Sequence, residues 1–249
     1  MALVHEMEAQ GNVLFRNRSW IPALFVLAGV VYIYLEGMQF PVENQWLWIG
    51  ICSAFIFLGQ FIRAYAIGYS DDRTSGRNTS AGQVAESINK TGMYSMVRHP
   101  LYLGNYFMWL GTLLFVGSWE FVLLCTLAYW LYYERIMFAE EQFLRKKFGS
   151  EAYDEWSKNT PPFWPKFANF ERPRNSFDWK DTIRREYLGF CAGYYVICIL
   201  AVFASSIEVG SFAYSEEIKF LFFANLGFFL VVRLLSKMTN VLSPKRLQV

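Results

Sequence analysis

The sequence is poor in charged residues for its length. They make up 18% of the 249 residues, whereas hydrophobic residues make up 54% and aromatic residues 19%. A soluble domain carries roughly 25% charged residues. The composition therefore argues against an ordinary soluble domain.

Histidine and cysteine are also scarce. His5 and His99 are the two histidines, too few for a histidine-based metal cluster, and we expect no metal site. The four cysteines lie inside apolar runs and form no CxxC pair, so neither a disulfide framework nor a redox motif is expected. Nothing in the sequence suggests a nucleic-acid partner. No Gly-rich loop of the kind that binds nucleotides after a strand is present.

What the sequence does contain is a series of long apolar runs. A helix needs about 20 mostly apolar residues to cross the hydrocarbon core of a membrane. The runs predict an all-α integral membrane protein, one membrane domain over 1–249, with about six transmembrane helices at 19–36, 46–69, 101–118, 119–138, 187–207 and 217–236. Residues 1–19 lack the apolar core and cleavage site of a signal peptide, so the first span is expected to act as the insertion signal.

Positive charge is distributed unevenly between the predicted loops. The termini and the segments 70–100 and 139–186, with the adjoining span ends, hold every Lys and Arg except Lys219. Positively charged loops stay in the cytoplasm. Both termini and the two long segments are therefore predicted to be cytoplasmic, as an even number of spans also requires.

A dense group of polar residues lies where the third predicted span begins. Arg98, Tyr102 and Asn105 share one helical face, with His99 and Gly104 between them. An anchor at the membrane interface explains Arg98 and Tyr102. It does not explain His99, Asn105 or Gly104, so a functional site is the alternative.

A second group lies at the cytoplasmic end of the fourth predicted span. Glu134, Arg135, Glu140 and Glu141 are close to hydrocarbon, where unpartnered carboxylates are costly. The third and fourth spans are joined across Gly117–Ser118, which should place this group beside Arg98. A solvated helix end and a functional cluster both fit the pattern.

These groups carry a resemblance to a known family. The segment 98–104 (RHPLYLG) resembles the RHPxYxG signature of membrane methyltransferases typified by isoprenylcysteine carboxyl methyltransferase and the phospholipid methyltransferases. Residues 91–94 (TGMY) resemble the TGxY lead-in of that family. Glu140-Glu141, Phe148-Gly149, Tyr153 and the turn 161–165 continue its pattern, so the signature block covers 91–165.

The resemblance implies a methyltransferase that uses S-adenosyl-L-methionine in a cytoplasmic pocket and receives its lipid or lipidated acceptor from the bilayer. It implies a multi-pass protein of the bacterial inner membrane or endoplasmic reticulum. The implied catalytic residues are Arg98, His99 and Glu140. The implied cofactor-binding residues are Thr91, Gly92, Tyr94, His99, Tyr102, Gly104, Asn105 and Glu141. Arg98 or His99 would hold the cofactor carboxylate, and Glu140 or Glu141 would accept hydrogen bonds from its hydroxyl or amino groups.

The acceptor and two rival functions stay open at this point. The basic stretch around Arg73 and Arg77 favours an anionic acceptor, a lipid phosphate or carboxylate, over an amine. One rival is an NADPH-dependent sterol-type reductase with a similar RHPxYxGD block, although Asn105 stands where those enzymes usually have Asp. The other is a membrane lipid-binding or transport protein without catalysis.

Overall fold

The computed structural model describes residues 2–71, 74, 78–79, 82–83 and 85–242. Within these residues the chain is helical apart from one short antiparallel hairpin, in which β1 (Asn78–Thr79) pairs with β2 (Gly82–Gln83). The predicted all-α class is confirmed. The helices are α1 (Leu3–Arg16), α2 (Ile21–Glu36), α3 (Gln45–Gly68), α4 (Met93–Met96), α5 (Pro100–Leu114), α6 (Trp119–Phe148), α7 (Ser150–Asn159), α8 (Trp179–Val209) and α9 (Glu216–Met238).

Four of the described helices, α3, α6, α8 and α9, are long and apolar enough to cross a membrane. A fifth crossing is possible if α1 and α2, which meet at a bend of 79°, count as one broken span. The number of spans is lower than the predicted six because two of the helices are short. Helices α2 and α5 have 16 and 15 residues, below the roughly 20 that a full crossing needs.

Helix α6 extends well past the predicted end of its span at residue 138. It continues to Phe148 as a single helix of 30 residues. Gly149 then has φ of +91°, a conformation that glycine adopts without strain, and α7 begins at Ser150. Glu140 and Glu141 therefore lie on the same continuous helix as the predicted fourth span.

The described chain divides into two compact units. The first unit consists of Met1–Ile21, Ile62–Gly104 and Leu127–Phe177. Within it α1 packs closely on α6, because a Cβ on Gly11 would lie 2.1 Å from the carbonyl oxygen of Arg135. Glu8 and Lys146 form an ion pair between the same two helices.

The second unit consists of Pro22–Phe61, Asn105–Thr126 and Asp178–Val249. Its core is apolar and includes the fully buried side chains of Cys52, Ile56, Phe115 and Ile197. Helices α8 and α9 pack against each other in this unit. The burial of apolar side chains is the main term that holds the core together.

Candidate active site

The segment before α5 is shaped by Gly92. Its φ of +62° and ψ of −130° lie in a region that side chains with a Cβ rarely adopt, and an added Cβ would meet Pro173 Cγ at 3.2 Å. The Gly92 N–H donates to the Glu171 carbonyl at 2.9 Å. The Ser95 hydroxyl donates to the Gly92 carbonyl and accepts from the Glu171 N–H. The TGxY lead-in is thus tied to a segment about 80 residues later.

The next residues run beside the proline-rich turn at 161–165. The backbone N–H groups of Arg98 and His99 donate to the carbonyls of Pro161 and Pro162, at 2.9 and 3.2 Å. In return, the Lys166 N–H donates to the Met96 carbonyl at 2.9 Å. Backbone pairing therefore fixes the Arg98–His99 dipeptide before any side-chain contact is considered.

The Arg98 side chain joins α6 to the end of α7. Its Nε donates to Glu141 Oε1 at 2.8 Å, and its Nη1 donates to the carbonyls of Ser157 and Thr160 at 2.9 and 3.0 Å. A guanidinium presents five N–H donors in a rigid fork, which suits a residue that must hold several acceptors. These contacts indicate a positioning role for Arg98.

The His99 imidazole lies between two carboxylates. Its Nε2 is 3.0 Å from Glu141 Oε1, and its Nδ1 is 3.4 Å from Glu140 Oε2. Burial lowers the pKa of His99, but the hydrogen bonds and negative charges of Glu140 and Glu141 outweigh this effect, and the net pKa is raised. The geometry favours the imidazolium, in which both ring nitrogens carry a proton to donate.

Tyrosines cover the other side of this histidine. The Tyr102 ring stacks on His99 with centroids 5.6 Å apart, and the Tyr133 ring lies 4.8 Å from that of Tyr102. The Tyr129 hydroxyl donates to the Tyr102 carbonyl at 2.7 Å. Tyr102 is therefore held by its backbone as well as by its ring.

Tyr153 of α7 is almost completely buried in the same unit. Its hydroxyl has no hydrogen-bond partner within the described residues, although the charges of Glu141 and Arg98 act on it. Burial raises the pKa of Tyr153, so the hydroxyl keeps its proton. The Tyr153 hydroxyl is therefore available as a hydrogen-bond donor near Glu141 and Arg98.

The structure brings together Arg98, His99, Tyr102, Glu140 and Glu141 from the predicted set, which we call the charged cluster. Thr91 and Tyr94 are half-buried in the preceding segment, and Gly104 is buried within α5. Asn105 belongs to the second unit. Glu134 contacts Arg135 at 3.2 Å. Arg73 and Arg77 lie outside the described residues.

Sequence reasoning missed the backbone partners of the cluster. Ser157, Thr160 and Glu171 contribute carbonyl oxygens, and any residue type supplies a carbonyl. Such contacts leave no pattern in the sequence. Ser95 differs in that it acts through its side-chain hydroxyl, and serine is one of the residue types enriched in turns.

Residues 47–151 match the family described as phospholipid methyltransferase. The predicted family is confirmed over this segment. This family segment contains Arg98, His99, Glu140 and Glu141, the four charged residues of the cluster.

Three similar proteins illustrate the relationship. The chain is 32% identical over 43% of its length to a protein-S-isoprenylcysteine O-methyltransferase of Schizosaccharomyces pombe, and 26% identical over 60% to one of Xenopus laevis. It is 30% identical over 36% of its length to the nickel-cobalt-cadmium resistance protein NccN of Alcaligenes xylosoxydans xylosoxydans. The chain spans about half the length of these curated relatives, namely 45%, 52% and 41%. No solved structure matches the chain.

Proposed function

We propose that the protein transfers a methyl group from S-adenosyl-L-methionine to a membrane lipid or lipidated acceptor, with a carboxylate or lipid phosphate favoured over an amine. The observation that carries this proposal is the pairing of Arg98 and His99 with Glu140 and Glu141 inside the family segment. Two of the relatives are isoprenylcysteine O-methyltransferases, which supports a lipidated acceptor with an oxygen nucleophile.

The residues of the charged cluster fit the proposed cofactor. Glu141 uses Oε1 for both Arg98 and His99, and we assign its other carboxylate oxygen, Oε2, to the cofactor. The buried Tyr153 hydroxyl offers a donor. We assign Glu141 and Glu140 to the hydroxyl or amino groups of the cofactor. Five residues of the same unit are assigned to the lining of the pocket, namely Thr91, Gly92, Tyr94, Tyr102 and Gly104.

When bound, the cofactor supplies a methyl group on a positively charged sulfonium. The protein then has to hold the acceptor in line with that methyl group and exclude water, because orientation and desolvation account for most of the acceleration of such a displacement. A carboxylate acceptor becomes a neutral methyl ester and requires no general base. An amine acceptor has to lose a proton, and Glu140 is the proposed base for that case.

The proposed site faces the cytoplasm, as the charge distribution of the sequence predicts. The proposed membrane, which the family resemblance implies, is the bacterial inner membrane or the endoplasmic reticulum. The name of the relative NccN suggests metal resistance as another function. No observation favours it here, since the part of the chain that the structure describes contains no group of three His, Cys, Asp or Glu residues able to hold a metal ion.

The test is calorimetric titration of the purified protein in detergent with S-adenosylhomocysteine and, in parallel, with NADPH. We expect saturable binding of S-adenosylhomocysteine and its loss in Glu141→Gln. The matched control is Glu134→Gln on the same helix. The Glu134 carboxylate contacts Arg135, so this substitution should leave binding of S-adenosylhomocysteine unchanged. Binding of NADPH alone would overturn the proposal in favour of a reductase. Binding of neither ligand would favour a non-catalytic lipid-binding protein.

A further inference from the structure

The positive groups of the charged cluster are already engaged. Arg98 and His99 face Glu140 and Glu141, so two cations balance two carboxylates. The Nε and Nη1 of Arg98 have three acceptors between them. A ligand that brings a carboxylate of its own therefore adds a negative charge that these two cations do not balance.

Arg18 supplies a further cation from outside the family segment. It follows α1, and its guanidinium carbon lies 4.1 Å from the centroid of the Phe15 ring. Its Nη1 is buried and has no hydrogen-bond partner among the described residues. Buried polar groups are nearly always paired, and a buried charged group without a partner is especially costly. This nitrogen is therefore a candidate ligand contact.

A second unpaired donor lies in the same region. Tyr132 is 7% exposed, and its hydroxyl has no partner within the described part of the chain. The charge of Arg18 acts on Tyr132 and also on Tyr102, the residue that stacks on His99. Arg18 and Tyr132 are thus two buried donors in electrostatic range of each other and of the charged cluster.

The position of Arg18 is set by the packing of α1. Gly11 allows α1 to approach the α6 backbone at Arg135, three residues after Tyr132, and the Glu8–Lys146 ion pair joins the same two helices. Phe15 is buried, and the Arg18 guanidinium lies over its ring. The N-terminal helix is therefore held where Arg18 can act beside α6.

We propose that Arg18 and Tyr132 together bind a carboxylate of a ligand at the charged cluster. The proposal rests on the proposed methyl transfer and deepens it, because it assigns a residue outside the family segment to ligand recognition. One guanidinium balances one negative charge, which matches a carboxylate better than a phosphate monoester with its charge of roughly −1.5 to −2. The carboxylate belongs either to the amino-acid part of the cofactor or to the acceptor.

The experiment compares ligands with and without the carboxylate on the same variants. The first pair is S-adenosylhomocysteine and 5′-methylthioadenosine, which retains the nucleoside thioether and lacks the amino-acid part. The second pair is an S-isoprenylcysteine acid and its amide. Calorimetry in detergent gives Kd for each ligand with the wild type, Arg18→Gln and Tyr132→Phe. The matched control is Arg16→Gln, an exposed arginine that ends α1 two residues before Arg18.

We expect Arg18→Gln to weaken the acid of one pair about tenfold or more and to leave its neutral counterpart unchanged, since a hydrogen bond to a charged group contributes roughly 1.5–3 kcal/mol. A change confined to S-adenosylhomocysteine assigns the site to the cofactor, and a change confined to the isoprenylcysteine acid assigns it to the acceptor. A merely structural role would weaken both members of a pair equally. Tyr132→Phe should show a smaller loss of affinity that is again confined to the acid. This variant tests the inference if Arg18→Gln does not fold.

Equal affinities of wild type and Arg18→Gln for both acids would overturn the inference while the proposed function stands. A wild type that binds no S-adenosylhomocysteine would instead contradict the proposed function. In that case the isoprenylcysteine pair still decides whether Arg18 recognises a carboxylate.

Discussion

The charged cluster and the helix pair α8–α9 are stabilised in different ways. In the cluster, Arg98 and His99 make directional contacts to two carboxylates and two backbone carbonyls, at distances of 2.8 to 3.4 Å. Between α8 and α9 the contacts are mostly aromatic and apolar, as between Phe190 and Phe228, with ring centroids 5.7 Å apart. Among the described residues of the pair, a polar contact runs from the Asn225 amide, which donates to the Cys191 carbonyl at 3.1 Å.

This difference in contacts indicates which of the two regions tolerates substitutions better. A buried charged group that loses its partner keeps its desolvation cost, so a single atom matters in the cluster. Apolar packing depends on volume and shape, and similar side chains can replace one another at small cost. We therefore expect substitutions to rank by how many directional contacts they remove.

The largest effect is expected for Arg98→Gln. The substitution leaves the Ser157 and Thr160 carbonyls and part of the Glu141 charge without their donor, and breaking a buried ion pair costs roughly 3–5 kcal/mol. The free energy of unfolding in detergent measures the loss. Arg135→Gln is the control, since its contact with Glu134 is more exposed, at 30% and 44% against 14% and 21% for Arg98 and Glu141, and solvent-exposed pairs contribute about 0–1 kcal/mol. Equal losses of unfolding free energy in both variants would mean that the contacts of Arg98 contribute no more to stability than the more exposed Arg135–Glu134 pair.

Gly92→Ala should have the next largest effect. A Cβ at this position combines a backbone conformation that costs roughly 1–3 kcal/mol with a 3.2 Å approach to Pro173. We expect lower stability and weaker binding of S-adenosylhomocysteine, because Gly92 also anchors the segment through Glu171. Gly189→Ala in α8 has open space around the new Cβ and should be neutral or slightly stabilising. Unchanged stability and binding in Gly92→Ala would contradict the claim that this backbone conformation requires a glycine.

Much of this fold could be predicted from the sequence because apolar runs and helix lengths are directly linked. The predicted spans 46–69 and 217–236 agree with α3 and α9 to within two residues at each end, and the span 187–207 lies inside α8, which begins eight residues earlier. The predicted span ends at residue 138 because charged residues begin at Glu134, whereas α6 continues to Phe148. Charge marks the membrane boundary, but a helix continues as long as its backbone hydrogen bonds do.

The site could be predicted in part for a similar reason. The proximity of Arg98 and Glu141 followed from a short connection between two helices, and the structure places them in contact. The role of α1 could not be predicted, because the contact of Gly11 with α6 joins residues more than 120 positions apart. No local pattern in residues 1–21 specifies that partner.

A smaller and pH-dependent effect is expected from His99. Its pKa is raised in the folded protein, so its stabilising contribution is fully present below the unfolded pKa near 6.5 and is lost as pH rises through the higher folded value. Unfolding measured from pH 6 to 9 should therefore show the wild type losing stability relative to His99→Gln. His5→Gln is the control and should follow the wild type. A constant difference between wild type and His99→Gln would contradict a charged imidazole between Glu140 and Glu141.

The smallest effect is expected for Asn225→Leu in α9. The variant loses the hydrogen bond to Cys191, which in a membrane helix pair contributes on average about 0.6 kcal/mol, and it gains an apolar side chain of similar size. The carbonyl of Cys191 lies inside α8, where its helical backbone partner remains. The free energy of unfolding in detergent should change by less than about 1 kcal/mol. A loss as large as that of Arg98→Gln would mean that one directional contact also governs α8–α9, and the contrast between the two regions would then fail.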